Sequence, residues 1–352
     1  MKKIFAILLC VCMLCTIVAC DTPAKEAEYK LGMGVVVDMN SSKTELAQVD
    51  ATVATVVTDA DGKIVVCRID VAQNKMDVKG GAVNAAATFK TKMELGDDYN
   101  MAKYGQSMDW NKDGVVKEWY DQAKAFEAYV VGKTVAEVEG IKTQVVEGSG
   151  YIIAEDKALL DAGCTIQITD FIAAVVAACK DTQGVSFKTA ATFTLGVAAT
   201  TAATDSKAAT AEENGLVAMY TDFAATVVAD GKIIAALNDA IQPKITINAA
   251  GEIVEKAYTA TKRNLKEDYN MAKFGANMDP NNDGKVLEWY LQSEAFSKHV
   301  VGMTADQVAN METKANSIGY QMTTDADLLA AGCTIQITSI KAVMAQAAKN
   351  AR

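Results

Sequence analysis

Two short loops of the chain carry oxygen-bearing side chains at alternate positions and end on a glycine. The six side chains are Asp109, Asn111 and Asp113 in the first loop and Asp279, Asn281 and Asp283 in the second. Calcium loops use this layout because alternate side chains converge on one hard cation and glycine permits the sharp turn. An EF-hand would place a glutamate at the twelfth position, where this chain has Tyr120 and Tyr290. The same residue types also favour the first turn of a helix, so a Ca²⁺ site and a capping loop are both open.

Aromatic and carboxylate side chains flank each loop. Tyr99 and Glu118 stand on either side of the first loop, and Tyr269 and Glu288 on either side of the second. Such a set can line a cavity in which a planar ring stacks and its polar edge is hydrogen-bonded. The alternative is that the aromatic rings pack a helix onto a sheet while the glutamates accept backbone N–H groups.

Nucleophilic catalysis has little support in the composition. The chain has one histidine, His299, on which any Ser-His-Asp mechanism, Cys-His mechanism or His-rich metal cluster would have to depend. Four cysteines follow Cys20 without a CxxC spacing, and we predict buried thiols at Cys67, Cys164, Cys179 and Cys333. A hydrolase is disfavoured, and a redox carrier or binding protein is favoured over a stand-alone enzyme.

The two loops and their flanking residues match each other because the chain repeats itself. Residues 91–134 align without a gap to residues 261–304, with 26 of 44 positions identical. The block AGCTIQIT at residues 162–169 recurs at residues 331–338. A period of this length is that of a domain, so we predict one unit at residues 31–183 and a second at residues 184–352.

The elements of each unit follow from hydropathy patterning. Segments rich in Val, Ile and Thr predict strands, the second and third forming an antiparallel hairpin, and apolar residues at helical spacing predict an amphipathic helix. The predicted strands are residues 31–38, 53–58, 64–71, 165–169 and 253–256; the predicted helices are residues 116–131 and 171–179; residues 198–211 are predicted as surface loop or frayed helix. The predicted class is α+β, with two tandem duplicated domains that each pack helices on an antiparallel sheet.

The first residues have the pattern of an export signal. Lys2 and Lys3 precede an apolar run over residues 4–18, which is too short to span a bilayer comfortably, and a small residue precedes Cys20. This resembles a bacterial lipobox, which implies a signal peptide at residues 1–19, acylation of Cys20 by chains such as palmitate, and a tether at residues 20–30. The predicted location is the extracytoplasmic face of the cell membrane, by lipid anchor; an ordinary secretory signal is the alternative.

The net charge excludes one class of partner. Lys and Arg number 34 against 44 Asp and Glu, a formal charge of −10 with a pI near 4.8. Such a chain has no electrostatic attraction for the phosphates of nucleic acid, so we predict no nucleic-acid partner.

A family resemblance is carried by several weak motifs together. These are the entry Leu-Gly-Met-Gly at residues 31–34, a strand pair joined by Asp-Gly-Lys-Ile, a helix with Gln122 following an aromatic residue, and the AGCT block before an Ala/Val-rich helix. The pattern resembles the FMN-binding domain of bacterial membrane-anchored lipoproteins and of subunits of sodium- or proton-coupled electron-transport complexes. In flavinylated members of that family, FMN is attached to the last residue of a Ser/Thr-Gly-Ala-Thr block.

The resemblance implies FMN-binding positions in both halves. The corresponding residues are Gly163 and Thr165 in the first half and Gly332 and Thr334 in the second, with Thr165 and Thr334 as the acceptors. Ala replaces the leading Ser or Thr, Cys replaces Ala, and Leu159 and Leu328 stand where the family has Asp. These departures favour noncovalent binding, or loss of the flavin, over covalent attachment.

Two hypotheses of different class follow. The first is a surface lipoprotein that carries electrons on FMN and meets redox partner proteins. The second is a non-redox surface lipoprotein that binds another ligand or calcium, or that has a structural role.

The calcium hypothesis makes a prediction about Asp113. If the loop binds Ca²⁺, Asp113→Ala should lower the melting temperature in calcium but not in chelator, because a ligand of the folded state stabilises it only when present. Differential scanning calorimetry in both buffers checks this. Equal losses in calcium and chelator would leave Asp113 with a capping role alone.

Overall fold

The computed structural model describes residues 25–104, 114–274, 286–316 and 319–352. The predicted signal peptide, Cys20 and the six predicted calcium ligands lie outside these residues. The described chain is of the α+β class, with antiparallel sheets and helices. Within the described residues, no helix is both long and apolar enough to cross a membrane.

The N-terminal half contributes a four-stranded antiparallel sheet in the order β3-β2-β1-β6. Its strands are β1 (Ala27–Asp38), β2 (Leu46–Asp59), β3 (Ile64–Asp77) and β6 (Val185–Thr189). Successive side chains of β2 point to opposite faces of the sheet, and both faces are buried. Val53 and Val57 lie on one face, whereas Ala54 and Val56 lie on the other, against helices.

The C-terminal half forms two three-stranded antiparallel sheets in the orders β10-β9-β7 and β12-β11-β8. The strands are β7 (Thr194–Ala202), β8 (Gly215–Ala218), β9 (Tyr220–Ala229), β10 (Lys232–Ile241), β11 (Lys244–Ile247) and β12 (Ile253–Ala257). Pro243 stands between β10 and β11, where its missing N–H interrupts the ladder. Two hairpins, β4 (Thr143–Val145) with β5 (Ile152–Ala154) and β13 (Thr313–Ala315) with β14 (Gln321–Thr323), complete the strands.

Helices occur in the same order in both halves. The N-terminal half has α1 (Lys92–Leu95), α2 (Met101–Tyr104), α3 (Trp119–Val130), α4 (Val135–Glu139), α5 (Lys157–Asp161) and α6 (Thr169–Cys179). The C-terminal half has α7 (Lys262–Leu265), α8 (Met271–Phe274), α9 (Trp289–His299), α10 (Ala305–Ala309), α11 (Ala326–Ala330) and α12 (Thr338–Lys349).

Helix α6 lies unusually close to β1 because the strand has glycines there. A Cβ on Gly34 would lie 2.2 Å from the carbonyl oxygen of Ala174, and one on Gly32 would lie 2.1 Å from that of Ala178. Gly196 of β7 has the same relation to Ala347 of α12, at 1.8 Å. The Leu-Gly-Met-Gly entry thus serves helix packing in this fold.

The two halves share one hydrophobic core. Inward-facing residues of both large sheets, such as Val53 and Met76 from one and Phe223 and Val227 from the other, belong to a single buried cluster. The outer face of each sheet packs its own helices, with Phe126 in the first half and Phe296 in the second. The layers therefore run helices, sheet, sheet, helices.

Several element predictions are corrected by the structure. Residues 165–169 form no strand, because the side chain of Gln122 accepts the backbone N–H groups of Thr165 and Ile166 that a neighbouring strand would otherwise pair with. Residues 198–202, predicted as loop or frayed helix, belong to β7, where small residues fit beneath α12. The helix predicted to begin at residue 116 begins at Trp119, and the weak strand predicted at residues 253–256 is confirmed as β12.

Strands β1 and β6 cross the ends that the sequence predicts for the first unit. Strand β1 begins at Ala27, inside the predicted tether, because Ala27 already pairs with Thr189. Strand β6 follows the predicted boundary and yet pairs with β1 of the first half. The change from one sheet to the other falls between Thr189 and Thr194.

Candidate functional site

A cavity of about 360 Å³ opens in the N-terminal half between the sheet and the starts of α1, α3 and α6. Two residues predicted from the sequence, Tyr99 and Thr165, lie in its wall. The lining also includes Asp38, Gln48, Asp50, Thr52, Lys92, Trp119, Asp170 and Phe171. Its residues come from β1, β2, α1, α3, α6 and the turn before α6, so the tertiary fold assembles it.

Strand β2 forms one wall of the cavity with a face that changes from polar to apolar along the strand. Gln48, Asp50 and Thr52 stand two residues apart and share the face on which Ala54 and Val56 contact the helices. The face is polar at one end and apolar at the other. The cavity lies over the polar end.

Lys92 lies inside this site against two aromatic rings. Its Nζ is 4.9 Å from the ring centre of Tyr99 and 5.4 Å from that of Trp119, which is distance for a cation–π interaction. Burial lowers the pKa of Lys92 to about 8, an effect opposed by the charges of Asp50, Asp70 and Asp170. Lys92 is thus a partly desolvated cation among carboxylates.

Asp50 presents an unused acceptor. Its Oδ2 accepts a hydrogen bond of 2.7 Å from Nε2 of Gln48, whereas its buried Oδ1 has no hydrogen-bond partner among the described residues. Burial raises the pKa of Asp50 and of Asp170, and the nearby charges of Asp38 and Asp50 add to the effect at Asp170. Gln73 stands opposite Asp50 on β3, and its side chain, like that of Gln48, opposes the rise in the pKa of Asp50 without meeting the geometry of a hydrogen bond to Oδ1. A ligand N–H or O–H that reached Oδ1 would satisfy this atom.

Thr165 is held by Gln122. The Thr165 backbone N–H donates to Oε1 of Gln122 at 2.8 Å, and Thr165 Oγ1 donates to the same oxygen at 3.3 Å. Thr334 has the same two bonds with Gln292, at 2.7 and 3.3 Å. The side chains are 8% and 5% exposed, so each hydroxyl is bound and largely covered.

The predicted glycines and glutamates have structural roles outside the cavity wall. Gly163 and Gly332 adopt φ of +87° and +85°, the left-handed region that glycine favours. Both oxygens of Glu118 accept backbone N–H groups, from Met101 at 2.8 Å and Ala102 at 3.1 Å. Glu288 does the same for Met271 and Ala272 of the second half, at 2.8 and 3.2 Å. Glu118 and Glu288 therefore accept backbone N–H groups, as the second alternative for the aromatic and carboxylate set expects.

The second half repeats the aromatic part of the site but changes its carboxylates. Lys262 lies 5.0 Å from the ring centre of Tyr269 and 5.2 Å from that of Trp289. Tyr220 stands at the strand position of Asp50, and Ser339 at the helix position of Asp170. The two halves therefore differ in the groups that would contact a ligand.

Metal and thiol chemistry receive no support from the described part of the chain. No group of three or more His, Cys, Asp or Glu side chains there is placed to hold a metal ion. The prediction of buried thiols is confirmed for Cys67, Cys164 and Cys333, whereas the free thiol of Cys179 is half-buried. Burial raises the pKa of Cys164 and of Cys333 to about 12, which keeps both as unreactive thiols.

Comparison with known proteins assigns no family. The chain matches no protein-family model, no curated protein and no solved structure at a significant level. The functional interpretation accordingly depends on the geometry of the site and on the sequence motifs.

The four charged residues of the described lining were missed in the sequence: Asp38, Asp50, Lys92 and Asp170. The recurrence of Lys92 and Trp119 as Lys262 and Trp289 was a signal for Lys92. The three aspartates had no such signal, because none of these carboxylates is repeated at the aligned position.

Asp70 is a buried carboxyl next to this site. It is 2% exposed, and its Oδ1 accepts backbone N–H groups from Val71 at 2.7 Å and Met93 at 3.1 Å. Burial raises the pKa of Asp70 to about 6 even though these bonds favour the charged form. In the second half, Asp239 accepts in the same way from Ala240 and Arg263, and burial raises its pKa as well.

A raised pKa in the folded state makes stability fall as the carboxyl ionises. The stability due to protonated Asp70 is complete below the unfolded pKa near 4 and is lost as pH rises through about 6. Asp70→Asn keeps Oδ1 as the acceptor and removes the ionisation, so we expect it to raise the free energy of unfolding by about 2–3 kcal/mol at about pH 7.5. Urea unfolding at several pH values measures this.

The exposed turn variant Asp61→Asn is the control and should leave the pH profile unchanged. If Asp70→Asn kept the wild-type slope between about pH 4 and pH 6, the burial effect at Asp70 would be wrong.

Proposed function

We propose that this protein is a lipid-anchored extracytoplasmic electron carrier that binds a flavin noncovalently in its N-terminal half. The observation that carries the proposal is the cavity, which places Thr165 and Tyr99 together in one wall beside Trp119. Its volume of about 360 Å³ falls in the range of small-molecule sites. A bound flavin would supply the electron transfer, and the protein would supply orientation and electrostatics.

The lining fits the ring and the hydroxylated chain of a flavin better than its phosphate. Tyr99 offers aromatic surface and is backed by the buried Trp119, and the Oδ1 of Asp50 can accept from an imide N–H or a hydroxyl. A phosphate would meet three aspartates, whereas Lys92 is the single cationic side chain that the described residues bring to the lining. The proposal therefore places the phosphate outside the cavity, away from the three aspartates.

The same proposal includes the duplication of two tandem domains. It is supported by the sequence repeat and by the matching order of helices in the two halves. Because Tyr220 stands at the position of Asp50, the proposal assigns the flavin to the N-terminal half.

One observation favours a second candidate, a non-redox carrier of an organic cation. Asp38, Asp50 and Asp170 outnumber Lys92 in the lining, and aromatic rings with carboxylates are the usual site for an ammonium group. The calcium alternative concerns loops outside the described residues and keeps its own test.

Flavin titrations of the soluble form from Asp21 onward separate these candidates. We expect riboflavin to bind at least as tightly as FMN, because only FMN brings a phosphate to the aspartates. Asp50→Asn removes one negative charge and should tighten FMN about threefold or more while changing riboflavin little. Quenching of flavin fluorescence gives both affinities, and Asp61→Asn serves as the control.

The outcomes are distinct. If neither flavin binds, and benzyltrimethylammonium raises the melting temperature of wild type but not of Asp50→Asn, the cation carrier replaces the flavin carrier. Much tighter binding of FMN than of riboflavin would contradict the placement of the phosphate outside the cavity.

The membrane anchor is tested at Cys20. Cys20→Ser should abolish labelling by palmitate and move the protein from the membrane fraction to the soluble exported fraction, since acyl chains supply the attachment. Cys15→Ser, inside the apolar run, is the matched control and should change neither. A wild-type protein that is already soluble after export would indicate an ordinary secretory signal.

A further inference from the structure

A second cavity, of about 480 Å³, lies where the two halves of the chain meet. One wall is formed by β10 and α9 of the C-terminal half, and the other by residues 182–186, which lead from α6 into β6. Leu237, Val185 and Val301 give it an apolar side. Its polar side chains include Asn238, Ser293, Ser297, Arg263, Lys266 and Lys298.

Asn238 is a buried amide in this wall with an unused donor. The residue is 2% exposed, its Oδ1 accepts from Oγ of Ser297 at 2.8 Å, and its backbone oxygen accepts from Oγ of Ser293 at 3.1 Å. Its Nδ2 has no hydrogen-bond partner within the described part of the chain. A buried N–H group needs an acceptor, and the cavity is the space beside this one.

The first half shows what chemistry occupies the corresponding place. Ser297 aligns with Glu127 at the same offset of 170 residues that relates the two helices. The Glu127 carboxylate is buried, accepts the backbone N–H of Ile69 at 2.9 Å and pairs with Arg352 at 2.9 Å. The chain thus has a carboxylate at this position in one half and a serine in the other, and a cavity lies beside each, of about 470 Å³ in the first half and about 480 Å³ in the second.

Of the three cationic side chains that the described residues bring to the lining, Lys266 is the one without an ion pair. The Arg263 guanidinium pairs with Asp181 at 3.2 Å, and Lys298 pairs with Glu294 at 2.6 Å. Lys266 forms no ion pair with any described residue, although its charge contributes to a lowered pKa of the adjacent Glu267. Its exposed ammonium group is the one that an anionic ligand would pair with.

Lys266 is held in an unusual backbone conformation. Its φ is +49°, which is unfavourable for a residue with a side chain, and the aligned residue of the first half is Gly96. Lys266 lines the cavity in this conformation.

We propose that this cavity binds a small organic monoanion through its carboxylate. The carboxylate accepts from Nδ2 of Asn238 and pairs with Lys266. The apolar part of the ligand lies against Leu237, Val185 and Val301.

Benzoate and hexanoate are the probes, and benzamide and hexanamide are their neutral controls. Isothermal titration of the soluble form from Asp21 should show binding of the carboxylates and about tenfold weaker binding of the amides. The side-chain amide signal of Asn238 in a ¹⁵N–¹H spectrum should shift with the carboxylate. No binding of either carboxylate would overturn the proposal.

Two variants test these residues, so the proposal remains testable if one variant fails to fold. Lys266→Gly removes the charge and supplies the residue that this backbone favours, so it should raise the melting temperature while weakening benzoate about tenfold. Ser297→Glu restores the carboxylate of the first half and should abolish benzoate binding. Lys314→Ala, on an exposed part of β13, is the control and should bind as wild type.

An unchanged affinity in Lys266→Gly would contradict the role of Lys266. Retained benzoate binding in a folded Ser297→Glu variant would place the ligand elsewhere. Flavin titration of the same variants should match wild type, because Asp50 and Tyr99 lie in the other cavity.

Discussion

The rest of the structure depends on the apolar contact between the inner faces of the two large sheets. Each sheet buries one face against its own helices and would expose the other if the halves separated. Val53 and Met76 from the first sheet join Phe223 and Val227 from the second in one cluster. Because burial of apolar surface is the main favourable term in folding, this contact joins two repeated units into one body.

Because of that contact, aligned residues of the two halves have different surroundings. Each half meets the other through different residues, since β6 extends only the first sheet and the chain after α12 contacts Glu127 through Arg352. The Glu127 carboxylate pairs with Arg352, whereas Ser297 lines the cavity between the halves. A cavity of about 470 Å³ beside Ile69 and Arg352 lies at the corresponding place of the first half, so the two places differ in their charged groups.

The sequence predicted the parts of this fold that depend on local patterning. Strands β1 to β3, helices α3 and α6 and the class followed from Val, Ile and Thr enrichment and from helical spacing. The segment at Thr165 was wrong because Gln122, far away in sequence, takes its backbone N–H groups. The shared core was missed because alternation on a strand shows that both faces are buried and does not show what covers them.

The residues of the candidate site were likewise predicted only in part from the sequence. Tyr99 was predicted from aromatic and carboxylate residues that recur, and Thr165 from the family resemblance, whereas Asp50 and Asp170 do not recur and only the fold brings them together. The cavity at Asp50 has three aspartates and one lysine in its described lining, whereas the one at Lys266 has a cation without an ion pair, so the two favour different ligands. Since Lys92 is already held against its aromatic rings and Lys266 is unpaired, an added anion gains most between the halves. A ligand there contacts both halves at once, which couples its binding to the contact that holds the sheets together.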